Sequence, residues 1–278
     1  SAMIKRFSLT ERDRQEIKKL NVSPLDIQDD HYDYSKVIVK KPWGYEYLIF
    51  ANDEIAVWVL YLKSGAQTSM HCHPNKKTSL VVLEGEVNCS SITEGMDRCA
   101  GEGLLIDKGA FHQTTATSET GAFVMEIETP VKKRDLVRLR DKYGREGQGY
   151  ETEDQHSSET QNYNYISFQN LGMQHNLKKR YGQCSMTFKK LSDDKSLDEI
   201  LELNPEDVIC LLKGLLLDHS NRSVVEVGDT MTVDALREFG GLHVSRNTEM
   251  LAIKKIAGEI LPAVQAEIDR REAEANKE

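Results

Sequence analysis

The sequence predicts an all-β chain folded as two small barrels, and three observations carry that prediction. Short apolar runs, EYLIF (46–50), EIAVWVLYLK (54–63), SLVVLEGEVNCS (79–90), GLLIDK (103–108) and AFVMEIET (122–129), are rich in β-branched and aromatic residues, and glycine-bearing turns separate several of them. A polar stretch at 146–162, EGQGYETEDQHSSETQN, then breaks the pattern with no apolar periodicity of its own. Beyond it the strand pattern resumes in YNYISFQ, QCSMTFKKL, VICLLKGLLLD, SVVEVGD and EMLAIKKI. With 278 residues the chain has room for two units of about 100 to 150 residues, each able to bury its own core. The expected organisation is an N-terminal helix and arm (1–40), a first barrel (41–145), a linker (146–162), a second barrel (163–258) and a C-terminal helix (259–278).

Taken in order, LTERDRQEIKKL (9–20) predicts a charged helix capped by Thr10 and appended to the barrel. SPLDIQDDHYDYSK reads as a loop in which His31 is solvated, and Pro42-Trp43-Gly44 opens the first barrel. RDLVRLRDKYGR (134–145) fits a short helix or an extended arm, and His156 in the linker is expected to be exposed. SLDEILEL (196–203) predicts a helix capped by Ser196. LLKGLLL (211–217) aligns with VLEGEVN (82–88), and Gly228-Asp229 with Gly103, so the second unit reads as a degenerate copy of the first. The tail predicts a helix from Ala263 to Ala275, with Pro262 at its first turn.

Lys and Arg total 36 against 45 Asp and Glu, a net charge of -9, which argues against a nucleic-acid or anionic-membrane surface; a small anionic substrate would need a local basic pocket. No apolar run approaches the ~18 to 20 residues of a membrane span. The five cysteines, Cys72, Cys89, Cys99, Cys184 and Cys210, follow no zinc-ribbon or secreted-framework spacing and are expected to be reduced, in a cytoplasmic protein.

The chemistry centres on SGAQTSMHCHPNKK. His71 and His73 are two apart, so on a strand both imidazoles leave one face, while Met70 and Cys72 leave the other, where Cys72 acts as a small buried hydrophobe. A single strand cannot surround an ion, so a third donor must come from elsewhere, and His112 in GEGLLIDKGAFHQTT is the candidate. Three imidazoles suit a divalent transition metal: Zn, Mn, Fe, Co or Ni. The second unit has no equivalent pair, because the matching position falls in SLDEILEL; His219 and His243 are expected in core or surface roles.

Gly65, His71, His73 and Gly85, with Gly101, Gly109 and His112, resemble the two motifs of the cupin superfamily, whose members are jelly-roll barrels. Thr78 stands where that family usually has a ligand glutamate, and Asp107 and Ala116 replace a proline and an asparagine. Over residues 40 to 150, KKPWGYEYLIF, FVMEIETP and RDLVRLRDKYGR resemble the cupin module of type II mannose-6-phosphate isomerases, although HCHPNKKT replaces that module's usual H-H-H-R-x-E-H core. The resemblance implies a bicupin with a degenerate second barrel, a homodimer, and metal-dependent isomerisation or epimerisation of a sugar or sugar phosphate through an enediol. On that reading Glu126, or Glu128 on the same strand face as Val124, is the candidate base, and Lys76 and Lys77 hold a phosphate. Two alternatives remain open: a three-histidine non-haem iron dioxygenase, and a sugar-binding bicupin that is not an enzyme.

Overall fold

Gly85 divides the apolar run at 79–90 into two strands that belong to different sheets. Its φ is +79°, and a Cβ there would lie 2.5 Å from the carbonyl oxygen of Gly121, so the chain can turn at this point only without a side chain. The computed structural model describes residues 3–20, 32–144, 146, 155–160, 163, 165–169, 177–245, 247–256 and the single positions 267, 270, 271, 273, 274 and 277.

In the first half the elements are β1 (Ile4–Phe7), α1 (Glu11–Leu20), β2 (Ile38–Lys41), β3 (Gly44–Ala51), β4 (Ala56–Leu62), β5 (Met70–Cys72), β6 (Lys77–Glu84), β7 (Glu86–Ser90), β8 (Gly95–Cys99), β9 (Gly103–Ile106), β10 (Gln113–Ala116), β11 (Ala122–Thr129), β12 (Val137–Arg140) and β13 (His156–Ser157). Eight of these strands form one sheet in the order β1-β9-β6-β11-β4-β3-β2-β13. Facing it are β10-β7-β8 and β12-β5, joined by a bridge between His71 and His112. Alternation turns Trp58, Leu60, Leu80, Val82 and Val124 of the large sheet inward, against Val87, Cys89 and Ala116 of the facing layer.

The second half comprises β14 (Leu177–Tyr181), β15 (Cys184–Leu191), α2 (Asp194–Leu201), β16 (Val208–Lys213), β17 (Leu216–Leu217), β18 (Ser223–Val225), β19 (Thr230–Thr232), α3 (Val233–Arg237), β20 (His243–Val244) and β21 (Thr248–Lys255). Its five-stranded sheet, β14-β15-β21-β16-β19, faces a three-stranded sheet, β18-β17-β20. The fold is thus all-β, two layered jelly-roll units with short helices. The match between 82–88 and 211–217 is structural. Gly214, at φ +86°, carries the chain from β16 to the opposite sheet, as Gly85, at φ +79°, carries it from β6. Gly228 N–H donates to Leu211 O at 2.8 Å as Gly101 N–H donates to Val82 O at 2.8 Å, so the counterpart of Gly228 is Gly101 and not Gly103.

The two units pack through their sheets. Val57, Val59, Val81, Met125 and Ile127 on the outer face of the first large sheet share one core with Met186, Phe188, Cys210, Leu212, Leu251 and Ile253. This explains why β4, β6 and β11 are apolar on both faces where a sheet with one wet face would alternate. The interior of the second unit is filled by Leu197 and Ile200 of α2 and Val233 and Leu236 of α3, packed on Ile209, Leu211 and Met250. A helix therefore occupies the region where the first unit carries its histidine pair.

Several expectations need correction. The helix at the N-terminus forms, with Thr10 Oγ1 accepting the Asp13 N–H at 3.2 Å, but it is no appendage: β1 pairs in parallel with β9, and Ile17 and Leu20 pack on Met70, Cys72, Phe111 and Val137. The cap of α2 is Asp193, and Ser196 is its reciprocal partner in a capping box. Within RDLVRLRDKYGR no helix forms among the described residues; Val137–Arg140 is the strand β12, paired to β5. YNYISFQ forms no strand among its described residues; Phe168 is buried there and its N–H donates to Ile49 O at 2.7 Å. His156 is half-buried in β13, against the rings of Tyr32 and Tyr34. His31, most of the stretch at 146–162 and most of the tail from 259 lie outside the described residues; Glu267, Arg270, Arg271, Ala273 and Glu274 are helical. No helix among the described residues is long and apolar enough to cross a membrane.

Candidate metal centre

His71 lies on β5, His73 just beyond it and His112 just before β10, all on the layer facing the large sheet. The backbones of His71 and His112 exchange two hydrogen bonds, 3.0 and 2.8 Å, which set the two rings 4.5 Å apart between centroids; His73 stands 5.1 and 5.2 Å from them. One ligating atom from each of the three lies within 4.8 Å of the others.

The tautomers follow from the hydrogen bonds. A carbonyl oxygen only accepts, so Nδ1–H of His71 donates to Ser69 O (2.8 Å), that of His73 to Asp135 O (2.8 Å) and that of His112 to Ala110 O (2.9 Å). Each Nε2 is then left with its lone pair. His73 Nε2 is buried without a hydrogen-bond partner among the described residues, a costly arrangement that a bound cation would relieve. Burial holds all three rings neutral: His71 and His73 fall well below the usual imidazole range and His112 falls to about 4. Neutral, fixed imidazoles with converging lone pairs fit a transition metal ion, and the same carbonyl bonds orient the rings as outer-shell partners do in metal sites.

The cavity in front of the histidines is small, about 50 Å³. Leu60, Leu62, Leu80 and Val124 give it an apolar wall, and Lys41, Glu46, Lys76, Glu126, Lys133 and Arg138 also line it. Lys41 and Lys133 share the carboxylate of Glu46 at 3.1 and 3.2 Å. Lys133 also sits 3.7 Å over the ring of Trp58, whose Nε1–H donates to Glu128 Oε1 at 3.1 Å, and the other oxygen of Glu128 accepts from Lys76. Glu126 is pushed up to about 7, chiefly by burial; Lys133 and Lys76 oppose that rise, while Glu46 and Glu128 add to it. Lys133 stays charged, because the surrounding carboxylates outweigh its burial.

His71, His73, His112, Lys76 and Glu126 thus meet at one cavity. Lys77 does not: it opens β6, and its side chain leaves on the side away from the cavity and pairs with Asp229 of the second unit at 3.0 Å. Glu128 is buried as the partner of Lys76 and Trp58. Sequence reasoning missed Lys41, Glu46, Lys133 and Arg138. Their signal was a charged residue within an otherwise apolar strand, as Glu46 is within YEYLIF, and the basic residues of the segment after β11. In the second unit His219 is exposed, and His243 is an exposed partner of Asp194 at 2.9 Å. Cys72 is fully buried on the face away from the histidines, and burial raises its thiol far above the usual range.

The fold and the site define a protein of two layered β units whose first unit holds a three-histidine candidate transition-metal site. The solved structures to which it is similar include cupins. One is an RmlC-like cupin from Shewanella frigidimarina, 18% identical over 38% of this chain and 95% of that one, with a TM-score of 0.32. Another is KdgF from Halomonas sp., 14% identical over 33% and 83%, TM-score 0.32. A third is a sugar phosphate isomerase of the cupin superfamily from Silicibacter pomeroyi, 12% identical over 43% and 81%, TM-score 0.32. No family model matches the sequence, and no curated protein matches it.

Proposed function

We propose that the first unit binds a divalent transition metal ion through Nε2 of His71, His73 and His112, and that it acts on a sugar or sugar phosphate by aldose-ketose isomerisation or epimerisation. The observation that carries the metal assignment is the fixed tautomer of all three histidines, which leaves each Nε2 free to ligate. A bound metal would supply Lewis acidity toward a substrate carbonyl or hydroxyl oxygen. Glu126, buried and near neutrality in its proton affinity, would take a proton from one carbon and return it to its neighbour. Lys133 stabilises the carboxylate form of Glu126, and Lys76 lines the same cavity. The apolar wall of Leu60, Leu62, Leu80 and Val124 excludes water from that exchange. Two copies of the chain would form the working unit.

The donor set favours one second reading. Three neutral imidazoles without a carboxylate match the coordination expected of a three-histidine iron dioxygenase. Metal analysis of the purified protein beside a His71→Ala variant separates the two. Zinc, manganese, cobalt or nickel near one per chain, lost in the variant, supports the isomerase reading and directs assays to aldose and ketose phosphates. Iron moves the dioxygenase reading ahead, with oxygen consumption as the assay. No metal after reconstitution leaves a sugar-binding protein without catalysis.

A further inference from the structure

RDLVRLRDKYGR (134–145) is a marked feature of the sequence that the metal ligands and the candidate base do not account for. In the structure it runs alongside the histidine strand: β12 pairs with β5, with Val137 opposite Cys72 and Arg138 opposite His71. The three histidines differ in how they are held. His71 and His112 bind each other's backbones, whereas His73 lies beyond the end of β5, where its carbonyl accepts the Gly109 N–H at 2.8 Å. Its ring is fixed by Asp135, a fully buried residue at the entry to β12, whose carbonyl accepts Nδ1–H of His73 at 2.8 Å. Both oxygens of the Asp135 carboxylate also return to the ligand loop. Oδ2 accepts the backbone N–H of Asn75 at 2.7 Å, and Oδ1 accepts from its Nδ2 at 3.0 Å. One residue thus makes three hydrogen bonds to positions 73 and 75, reaching back 60 to 62 residues along the chain.

We infer that Asp135 is a positioning residue for the metal centre: its carboxylate ties it to Asn75, and that tie keeps its carbonyl on Nδ1 of His73 and so aims Nε2 at the ion. The inference rests on the metal reading and deepens it. Pro74 links the two held positions, and its fixed φ leaves the turn from 73 to 75 little freedom, so what moves Asn75 moves His73. A buried carboxylate is costly unless its oxygens find strong donors, and here both accept from the ligand loop. The brace acts on the histidine whose Nε2 is buried without a hydrogen-bond partner among the described residues, so the direction of the ring matters most there. Outer-shell partners of metal-bound histidines commonly change metal affinity by roughly 10- to 100-fold. A plain structural anchor would act differently: its loss would lower stability and leave the metal geometry alone.

Asp135→Ala, Asp135→Asn and Asn75→Ala would be compared with the wild type in three measurements: zinc affinity against a chromophoric chelator, visible absorption of the cobalt(II)-loaded protein, and, in metal-free protein, the Nδ1–H proton of His73 by proton–nitrogen NMR. The expected result in Asp135→Ala is zinc binding weaker by roughly 10- to 100-fold, an altered cobalt spectrum, and loss of the His73 Nδ1–H signal through faster exchange. Asp135→Asn keeps an acceptor for the Asn75 N–H, and its amide can donate to a turned Asn75 side chain, so it should recover most of that loss. Asn75→Ala breaks one of the three bonds and should weaken zinc binding by less; if Asp135→Ala does not fold, this variant decides in its place. A folded variant with wild-type zinc affinity, cobalt spectrum and His73 signal would overturn the positioning role and leave the metal reading standing, even where its melting temperature falls. Wild-type protein that takes up neither zinc nor cobalt would remove the metal reading. The His73 signal then decides the brace, which stands if the signal is lost in Asp135→Ala and falls if it is kept there or is absent from the wild type.

Discussion

Asp13 Oδ1 accepts the backbone N–H of Phe111 at 3.0 Å across 98 residues of chain, tying helix α1 to the residue that precedes His112. The other oxygen of the same carboxylate accepts from Thr10 N–H and Thr10 Oγ1–H, both at 2.8 Å, so one buried side chain closes the helix cap and the histidine loop together. Asp107, just after β9, ties down the same N-terminal segment, accepting from Arg6 at 2.8 Å and from Leu9 N–H at 3.2 Å.

Asp13→Ala should therefore cost more than a surface helix cap. It strips a buried amide of its acceptor and removes the cap bonds, a loss of roughly 2 to 4 kcal/mol from typical values for each. Urea unfolding should show the midpoint falling with an unchanged slope. Zinc affinity should weaken as well, because the backbone just before His112 loses its anchor, whereas a variant of solvent-exposed Glu11 should leave both unchanged.

How much of this was legible in the sequence follows from what each signal depends on. The histidine pair was readable because period-two alternation is local: His71 and His73 share a face whatever the rest of the chain does. The equivalence of Gly85 and Gly214 was readable from their matching flanks, but not the sheet switch each makes, since 79–90 reads as one apolar run; the equivalence of Gly228 slipped by two residues because only a long-range bond to Leu211 fixes it. Lys76 and Lys77 looked alike as a charged pair. Strand geometry sends one to Glu128 inside and the other to Asp229 outside, and that choice depends on register with a strand about fifty residues away. Helix α1 is legible as a helix from its cap and charge pattern, but its packing against the barrel is not, since nothing in a charged amphipathic segment says which surface it covers.

If Glu126 is the base, the rate must follow its ionisation. Burial raises its pKa to about 7, with Lys133 and Lys76 pulling it down and Glu46 and Glu128 pushing it up, so the carboxylate form accumulates as pH rises through that value. On an accepted sugar phosphate, kcat/KM should climb with pH along a limb near 7, displaced downward by any bound dication. Glu126→Gln should lower kcat by roughly 10² to 10⁴ and abolish the limb while leaving metal content intact. A variant that retains both rate and limb would remove Glu126 from the chemistry.

Glu84 sets a different pH dependence, one of stability, at the seam between the two units. It ends β6 beneath Gly182, where a Cβ would lie 2.5 Å from the Glu84 Cβ, and both of its carboxylate oxygens are buried without a hydrogen-bond partner among the described residues. Burial raises its pKa to about 7, against a partial opposing effect from Arg180. The sign follows from proton counting: between about 4.5 and 7 the folded chain keeps a proton that the unfolded chain releases, so stability falls as pH rises through that window and levels off above it. Glu84→Gln removes the titration and keeps the shape. The difference between variant and wild-type melting temperatures should therefore be small at pH 5 and grow in the variant's favour by pH 8. A difference that does not change with pH would mean that Glu84 finds its charge compensated at the seam.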